Sequence, residues 1–168
     1  KKFNTLVLLN YSSELDDLLS WLQQLLAESL GKKGNGLLPI ISQAPKDHHS
    51  LLQLYLDGPK DKVYYIFKTQ NKYKIPINKN IIYKQLKIKK NSLDHVVDAQ
   101  KKALTKIFKK KNIPFREIVI KNLKEETVGS LFSYFMLETV LVGDAINVNP
   151  YDQPAVEEIK ILTNKYLN

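Results

Sequence analysis

Three short polar segments hold the residues with which this sequence could do chemistry. The first is Gln24-Leu25-Leu26-Ala27-Glu28-Ser29-Leu30-Gly31-Lys32. On a helix, Trp21, Gln24 and Glu28 share one side, facing away from a leucine stripe. A tryptophan beside a carboxylate there reads either as a covered site or as a solvated face whose Trp21 packs beneath a neighbouring domain. The second is Asp47-His48-His49-Ser50-Leu51-Leu52-Gln53-Leu54. A histidine in the first turn of a helix lies near the positive end of the macrodipole, which favours the neutral imidazole that acid–base work requires. Histidines at helix starts are also common as plain surface residues. The third runs from Tyr151-Asp152-Gln153-Pro154 to Lys160. Lys160 stands one turn after Val156 on the apolar side, where a lysine either lays its stem along the core or aims its ammonium into a site.

These residues depend on the elements that carry them. Thr5-Leu6-Val7-Leu8-Leu9 predicts a buried strand, being short, apolar and continuous. Ser12 or Ser13 can cap the next helix, which runs to about Leu30 and buries Leu15, Leu18, Leu19, Leu22, Leu25 and Leu26. Gly31 is its stop. Leu37 to Ile41 forms a second strand, Asp47 caps a helix to about Asp57, and Gly58-Pro59 precedes a third strand, Val63 to Phe67. Residues 69–91 read as an irregular or partly extended excursion. Ser92 caps an amphipathic helix with Leu93, Val96, Val97, Ala103, Leu104, Ile107 and Phe108 on one face, and strand Glu117 to Ile120 follows Pro114. A very apolar helix from about Thr127 to Val142 is expected to be buried on more than one side. Pro154 opens the final helix, 153–168, at a first-turn position.

Strands alternating with helices define an α/β class, a parallel sheet flanked by helices on both faces. Such sheets take ligands at the carboxyl ends of their strands, so Glu28, His49 and Lys160 are expected to gather there. With no repeat or linker, 1–168 reads as a single domain, large enough to build a core without metal or disulfide help.

Composition removes several function classes. There is no cysteine, hence no disulfide framework, thiolate metal site or cysteine nucleophile. Three histidines, two of them adjacent, do not make a convincing metal cluster. No apolar run approaches the roughly 20 residues that span a bilayer, and no segment reads as a signal peptide, so a cytoplasmic protein without a membrane partner is expected. The opening Lys1-Lys2, followed closely by a strand, reads as a fragment of something longer or as a processed chain. A formal charge of +9 points to an anionic partner. Arg116 is the only arginine, whereas readers of DNA base edges lean on arginine.

Taken together, the three segments resemble the glucose-6-phosphate isomerase family, built from two sugar isomerase (SIS) domains of parallel α/β design. Its Gln-x-x-x-Glu-Ser-x-Gly-Lys helix is matched by Gln24, Glu28, Ser29, Gly31 and Lys32. Its histidine, four residues ahead of a Gln-Leu pair, is matched by His49 with Gln53-Leu54, and Leu54 to Lys62 follows the form of many bacterial members. Its C-terminal signature is matched by Tyr151, Asp152, Gln153, Val156, Glu157 and Lys160. Departures are Tyr151 for the usual phenylalanine, Ala155 for a common glycine and His48 where glutamine is frequent. The resemblance spans nearly the whole chain, in order, and identifies a C-terminal SIS domain with a three-layer sandwich fold.

What the resemblance implies is an aldose–ketose isomerase, interconverting glucose 6-phosphate and fructose 6-phosphate through ring opening and a cis-enediol. Glu28 would be the base moving a proton between C2 and C1, His49 would assist ring opening, and Lys160 would stand near the ring oxygen. Gln24 and Gln153 would bind the substrate. No metal and no organic cofactor is implied. The family's phosphate loop and its enediolate-stabilising arginine belong to the first SIS domain and find no counterpart here. The glycines from Gly31 to Gly36 lack the phosphate-loop pattern and read as a surface turn. The implied partners are therefore the sugar phosphate, a missing N-terminal SIS domain of the same chain, and a second copy, whose site His49 reaches in a homodimer. Two other readings are a non-catalytic SIS module that senses a phosphosugar, and a basic nucleic-acid-binding domain. The latter rests on Lys84, Lys87, Lys89, Lys90, Lys101, Lys102, Lys106 and Lys109 to Lys111, which read better as a solvated face.

Overall fold

The computed structural model describes residues 3–70, 76 and 92–168. Apart from Thr69, Gln70 and Pro76, the excursion expected at 69–91 lies outside the described residues. Four strands, β1 (Thr5–Asn10), β2 (Leu38–Gln43), β3 (Lys62–Thr69) and β4 (Phe115–Ile120), form a sheet in the order β2-β1-β3-β4, with every pair parallel. Residues Leu6 to Asn10 are all buried, as a central strand covered on both faces requires.

Because side chains alternate along a strand, β1 feeds two cores. Leu6 and Leu8 join Phe67 under Leu15, Leu18, Leu19 and Leu22 of the first helical segment. Val7 and Leu9 join Tyr64 and Ile66 under Tyr55, Leu104 and Phe108 on the other face. The result is the three-layer α/β arrangement that the strand–helix alternation predicts.

The first helix starts as a 3₁₀ turn, Ser13–Leu15, and continues as α1 (Asp16–Leu30). Ser12 does not cap it with its side chain; its hydroxyl accepts hydrogen bonds from the Thr69 backbone N–H and hydroxyl, each at 2.9 Å. Gly31 ends α1 by close approach, since a Cβ there would come within 2.6 Å of the Ala27 carbonyl oxygen. The single helix expected from Asp47 to Asp57 is two pieces, α2 (Asp47–Ser50) and α3 (Leu52–Asp57). Asp47 turns its carboxylate back to β2, accepting from Gln43 N at 2.7 Å and Ser42 Oγ at 2.9 Å, instead of capping. Helix α4 (Leu93–Lys110) is capped by Ser92, whose Oγ accepts from His95 N.

Helix α5 (Glu125–Ala145) has 21 residues and extends beyond its expected limits at both ends. Phe135, Thr139 and Gly143 are its buried positions. Phe132 meets Trp21 edge-on, with ring centroids 4.3 Å apart. The Arg116 guanidinium donates to both Glu138 oxygens, at 2.7 and 3.0 Å, and lies 3.8 Å over the Tyr65 ring. The expectation of burial on more than one side is corrected: Leu137 and Leu141 are 64% and 69% exposed. In length and composition α5 could also cross a bilayer, contrary to the sequence reading, but one face of it is committed to this sheet. The last helix, α6 (Pro154–Leu167), has proline in its first turn and buries no residue.

Unequal burial along α5 gives a direct test. Phe135→Ala is expected to lower unfolding free energy by about 3–5 kcal/mol in urea titrations. Leu137→Ala should stay within about 0.5 kcal/mol. Equal costs would show that α5 does not pack as described.

Candidate active site

Helix α1 begins beside the carboxyl end of β1 and runs back along the sheet, so its last turn, with Glu28, arrives at the amino ends of the strands. Gln23 fastens it there, donating to the carbonyl of Pro39, the second residue of β2, at 2.8 Å. Helix α5 makes the same return journey after β4 and delivers residues 146–153 to that end. Lys32 then joins the two segments. Its Nζ lies 3.0 Å from Asp152 Oδ1 and 2.5 Å from the Asn149 carbonyl oxygen, and Asn149 Nδ2 donates to Asp152 at 3.1 Å. The hydrogen bond from Lys32 holds the Asp152 carboxyl below its ordinary range. Between the segments lies a cleft of about 300 Å³, lined by Glu28, Lys32, Asn149, Asp152, Gln153 and Val156 among others. Gln24 Nε2 donates to Glu28 Oε2 at 3.1 Å, fixing one carboxylate oxygen from the preceding turn.

Glu28 thus does not lie at the carboxyl ends of the strands, where it was expected; the direction of α1 forbids it. What the fold brings together is Glu28, Gln24 and Gln153. Lys160 stands one turn beyond Val156 on α6, exposed, with its Nζ 2.6 Å from Glu157 Oε1. It has no core for its stem, because none of the α6 residues is buried. His49, soon after β2, stays at the carboxyl ends. A six-residue strand is about 20 Å long, so one copy of the chain separates His49 from Glu28 by the depth of the sheet. Trp21 is not an exposed companion of Glu28, since it packs on Phe132 within this domain. The Lys32–Asp152 pair was missed as a site feature. Its signal was opposite charges inside two of the quoted segments.

The carboxyl end has its own network. Asn10, fully buried, donates to Asp16 Oδ1 at 2.7 Å and accepts from Ser12 N, while Gln43 Nε2 reaches the same Asp16 oxygen at 2.8 Å. The Tyr11 hydroxyl lies 2.7 Å from His48 Nε2. Burial raises the Tyr11 pKa far above the phenol range, so its hydroxyl stays protonated, and the His48 tautomer decides which group donates. Burial lowers the His48 pKa, helped by neighbouring His49 and opposed by Asp47. His48 anchors α2 through this contact, and His49 is exposed beside it.

The fold and the cleft define a parallel three-layer α/β domain with a carboxylate and an amide facing one opening. No protein-family model matches the chain. Among curated proteins it is 34% identical to a glucose-6-phosphate isomerase of Methanocaldococcus jannaschii over 156 residues, covering 92% of this chain and 38% of that protein. It is 36% identical to a glucose-6-phosphate isomerase of Campylobacter jejuni over 174 residues, covering 100% of this chain and 43% of that protein. The chain is similar to these glucose-6-phosphate isomerases over nearly all of its own length, and it spans about two fifths of theirs. Among solved structures, a hypothetical protein from Thermus thermophilus superimposes with TM-score 0.85 at 27% identity, covering 98% of this chain and 41% of that one. A glucose-6-phosphate isomerase from Chlamydia trachomatis gives TM-score 0.76 at 19% identity, covering 98% and 35%, a likeness of fold.

The Tyr11–His48 contact has a pH signature. A histidine with a lowered folded pKa is protonated first in the unfolded chain, so its stabilising effect is complete above the ordinary value of about 6.5 and is lost as pH falls below it. The melting temperature is expected to drop between pH 7 and pH 5. In His48→Gln, whose amide can hydrogen-bond to Tyr11 in either direction without titrating, that slope should flatten. An unchanged slope would assign the effect to other groups.

Proposed function

We propose that this chain supplies part of the active site of an aldose–ketose isomerase that interconverts glucose 6-phosphate and fructose 6-phosphate. The observation that supports it best is the convergence of Glu28 and Gln153 on one cleft from opposite ends of the chain. Similarity to glucose-6-phosphate isomerases over nearly the whole chain adds to it.

In this reading the sugar, once opened, lies in the cleft with C1 and C2 against Glu28. The carboxylate takes the proton from C2 of the aldose, the C–H electron pair forms the C1–C2 double bond and a proton moves from O2 to O1 through the cis-enediol, and the carboxyl group, whose proton can exchange with solvent, protonates C1 as the ketose forms. Gln24 steadies the carboxylate and Gln153 hydrogen-bonds the sugar hydroxyls. Lys160, on the helix leading out of the cleft, stands by the ring oxygen, and His49 assists ring opening. Because Glu28 and His49 lie at opposite ends of one sheet, the histidine comes from a second copy in a homodimer. The phosphate anchor and the arginine for the enediolate come from an N-terminal SIS domain of the same polypeptide, and the present residues form the C-terminal one. The mechanism uses no metal or organic cofactor, and the reading carries a cytoplasmic setting with no nucleic-acid or membrane partner.

Glu28→Gln in the competent assembly keeps the side chain's size and removes its basicity. The expected result is a fall in kcat of at least about a hundredfold with little change in KM. Solvent deuterium should no longer enter the sugar at C2, whereas ring opening survives. The 168 residues alone should show no measurable turnover, since binding at a remote phosphate helps hold the reacting carbons in place. Near-normal deuterium exchange in the variant would remove Glu28 from the base role.

A further inference from the structure

On the opposite face of the sheet from the Glu28 cleft, a second and larger cavity opens near the start of β3 and β4. Its volume is about 450 Å³, within the range of small-molecule sites. It shares no lining residue with the first. Buried Tyr55, Tyr64 and Ile113 contribute to its wall together with Pro59 and Pro114, and Lys60, Lys62 and Lys111 also line it.

The lysines are unevenly compensated. Lys62 is paired with Asp61 at 2.6 Å. Lys60 and Lys111 both direct Nζ to a single acceptor, the Leu56 carbonyl oxygen near the end of α3, at 2.6 and 3.4 Å. Two ammonium groups aimed at one neutral oxygen repel each other, and each has three N–H donors, so one carbonyl leaves most of them open to solvent or a ligand. None of the described residues lining the cavity is acidic. Capping the helix end accounts for one lysine; the second is surplus to that role. A dianion seated between them would take up the remaining donors and relieve the repulsion.

We infer that this cavity binds an organic phosphate ester, its phosphate held by Lys60 and Lys111 and a flat apolar body lying against the Tyr55, Tyr64, Ile113 and proline wall. The inference does not rest on the isomerase reading, because it uses none of the cleft residues.

The test is a titration of the ¹⁵N-labelled 168-residue chain with phenyl phosphate, followed by amide shifts, with inorganic phosphate and phenol as separate titrants. Saturable shifts are expected around Tyr64, Ile113 and Lys111, weakening as salt is raised. Phenyl phosphate should bind at least about tenfold more tightly than either fragment alone, as burial of one aromatic ring suggests. Lys60→Gln with Lys111→Gln, both at exposed positions, should weaken binding at least about tenfold. Lys32→Gln, at the other cleft, should leave it unchanged. Absence of saturable binding, equal affinity of the double variant, or shifts confined to the Glu28 cleft would each overturn the site. Equal affinity for inorganic phosphate would overturn the organic ester as its ligand.

Discussion

Because β1 pairs in parallel with both β2 and β3, each connection between strands must carry the chain back along the whole sheet before the next strand can start. Helix α1 does this on one face, and α5 returns from β4 in the same sense. Their final turns reach the amino ends of the strands, where Lys32 meets Asn149 across 117 positions of sequence. Residues placed just after a strand cannot join them. Tyr11, Ser12 and the α2 segment stay at the far end, held by Asn10, Asp16, Gln43 and Asp47. The division between a Glu28 end and a His49 end follows from chain direction, before any side-chain preference is considered.

That direction also organises the charge. Helices that end at the amino side of the sheet present their carbonyl ends there, where cations are favoured. Lys32 follows α1, Lys60 donates to the end of α3, and α4 finishes in Lys109 and Lys110 before Lys111. A part of the basic excess is therefore engaged at helix ends, which moderates its value as a sign of nucleic-acid binding. Lys101 is similarly committed, 2.6 Å from Glu117. The single arginine is structural as well, tying β4 to Glu138 of α5 over the Tyr65 ring.

Elements whose burial follows a simple period were legible in the sequence. The apolar run of β1, the leucines of α1, the serine cap of α4 and the proline start of α6 all occur where they were read. Three kinds of feature were not. Polar side chains with a choice of partners took tertiary ones: Ser12 went to Thr69, and Asp47 to the β2 end, leaving α2 and α3 as separate short turns. The period of α5 says that it is apolar, but cannot say which faces find a partner. The general rule for parallel sheets points to the carboxyl ends of the strands, whereas α1 carries Glu28 back to the amino ends with its last turn. Glu28 and Gln153 were both legible as candidates from their segments. Their meeting, and the Lys32–Asp152 link beside them, depends on two return helices ending together.

Helix α6 carries one more implication. Its 14 residues bury none of their side chains, and Ile159, Ile161, Tyr166 and Leu167 are each at least 65% exposed. An uncovered helix this short has too few internal turns to offset its nucleation penalty. Taken alone it is a marginal helix, and any surface that covered its apolar side chains would add to its order. Lys160 rides on that element, so the position of its ammonium is only as fixed as the helix that carries it.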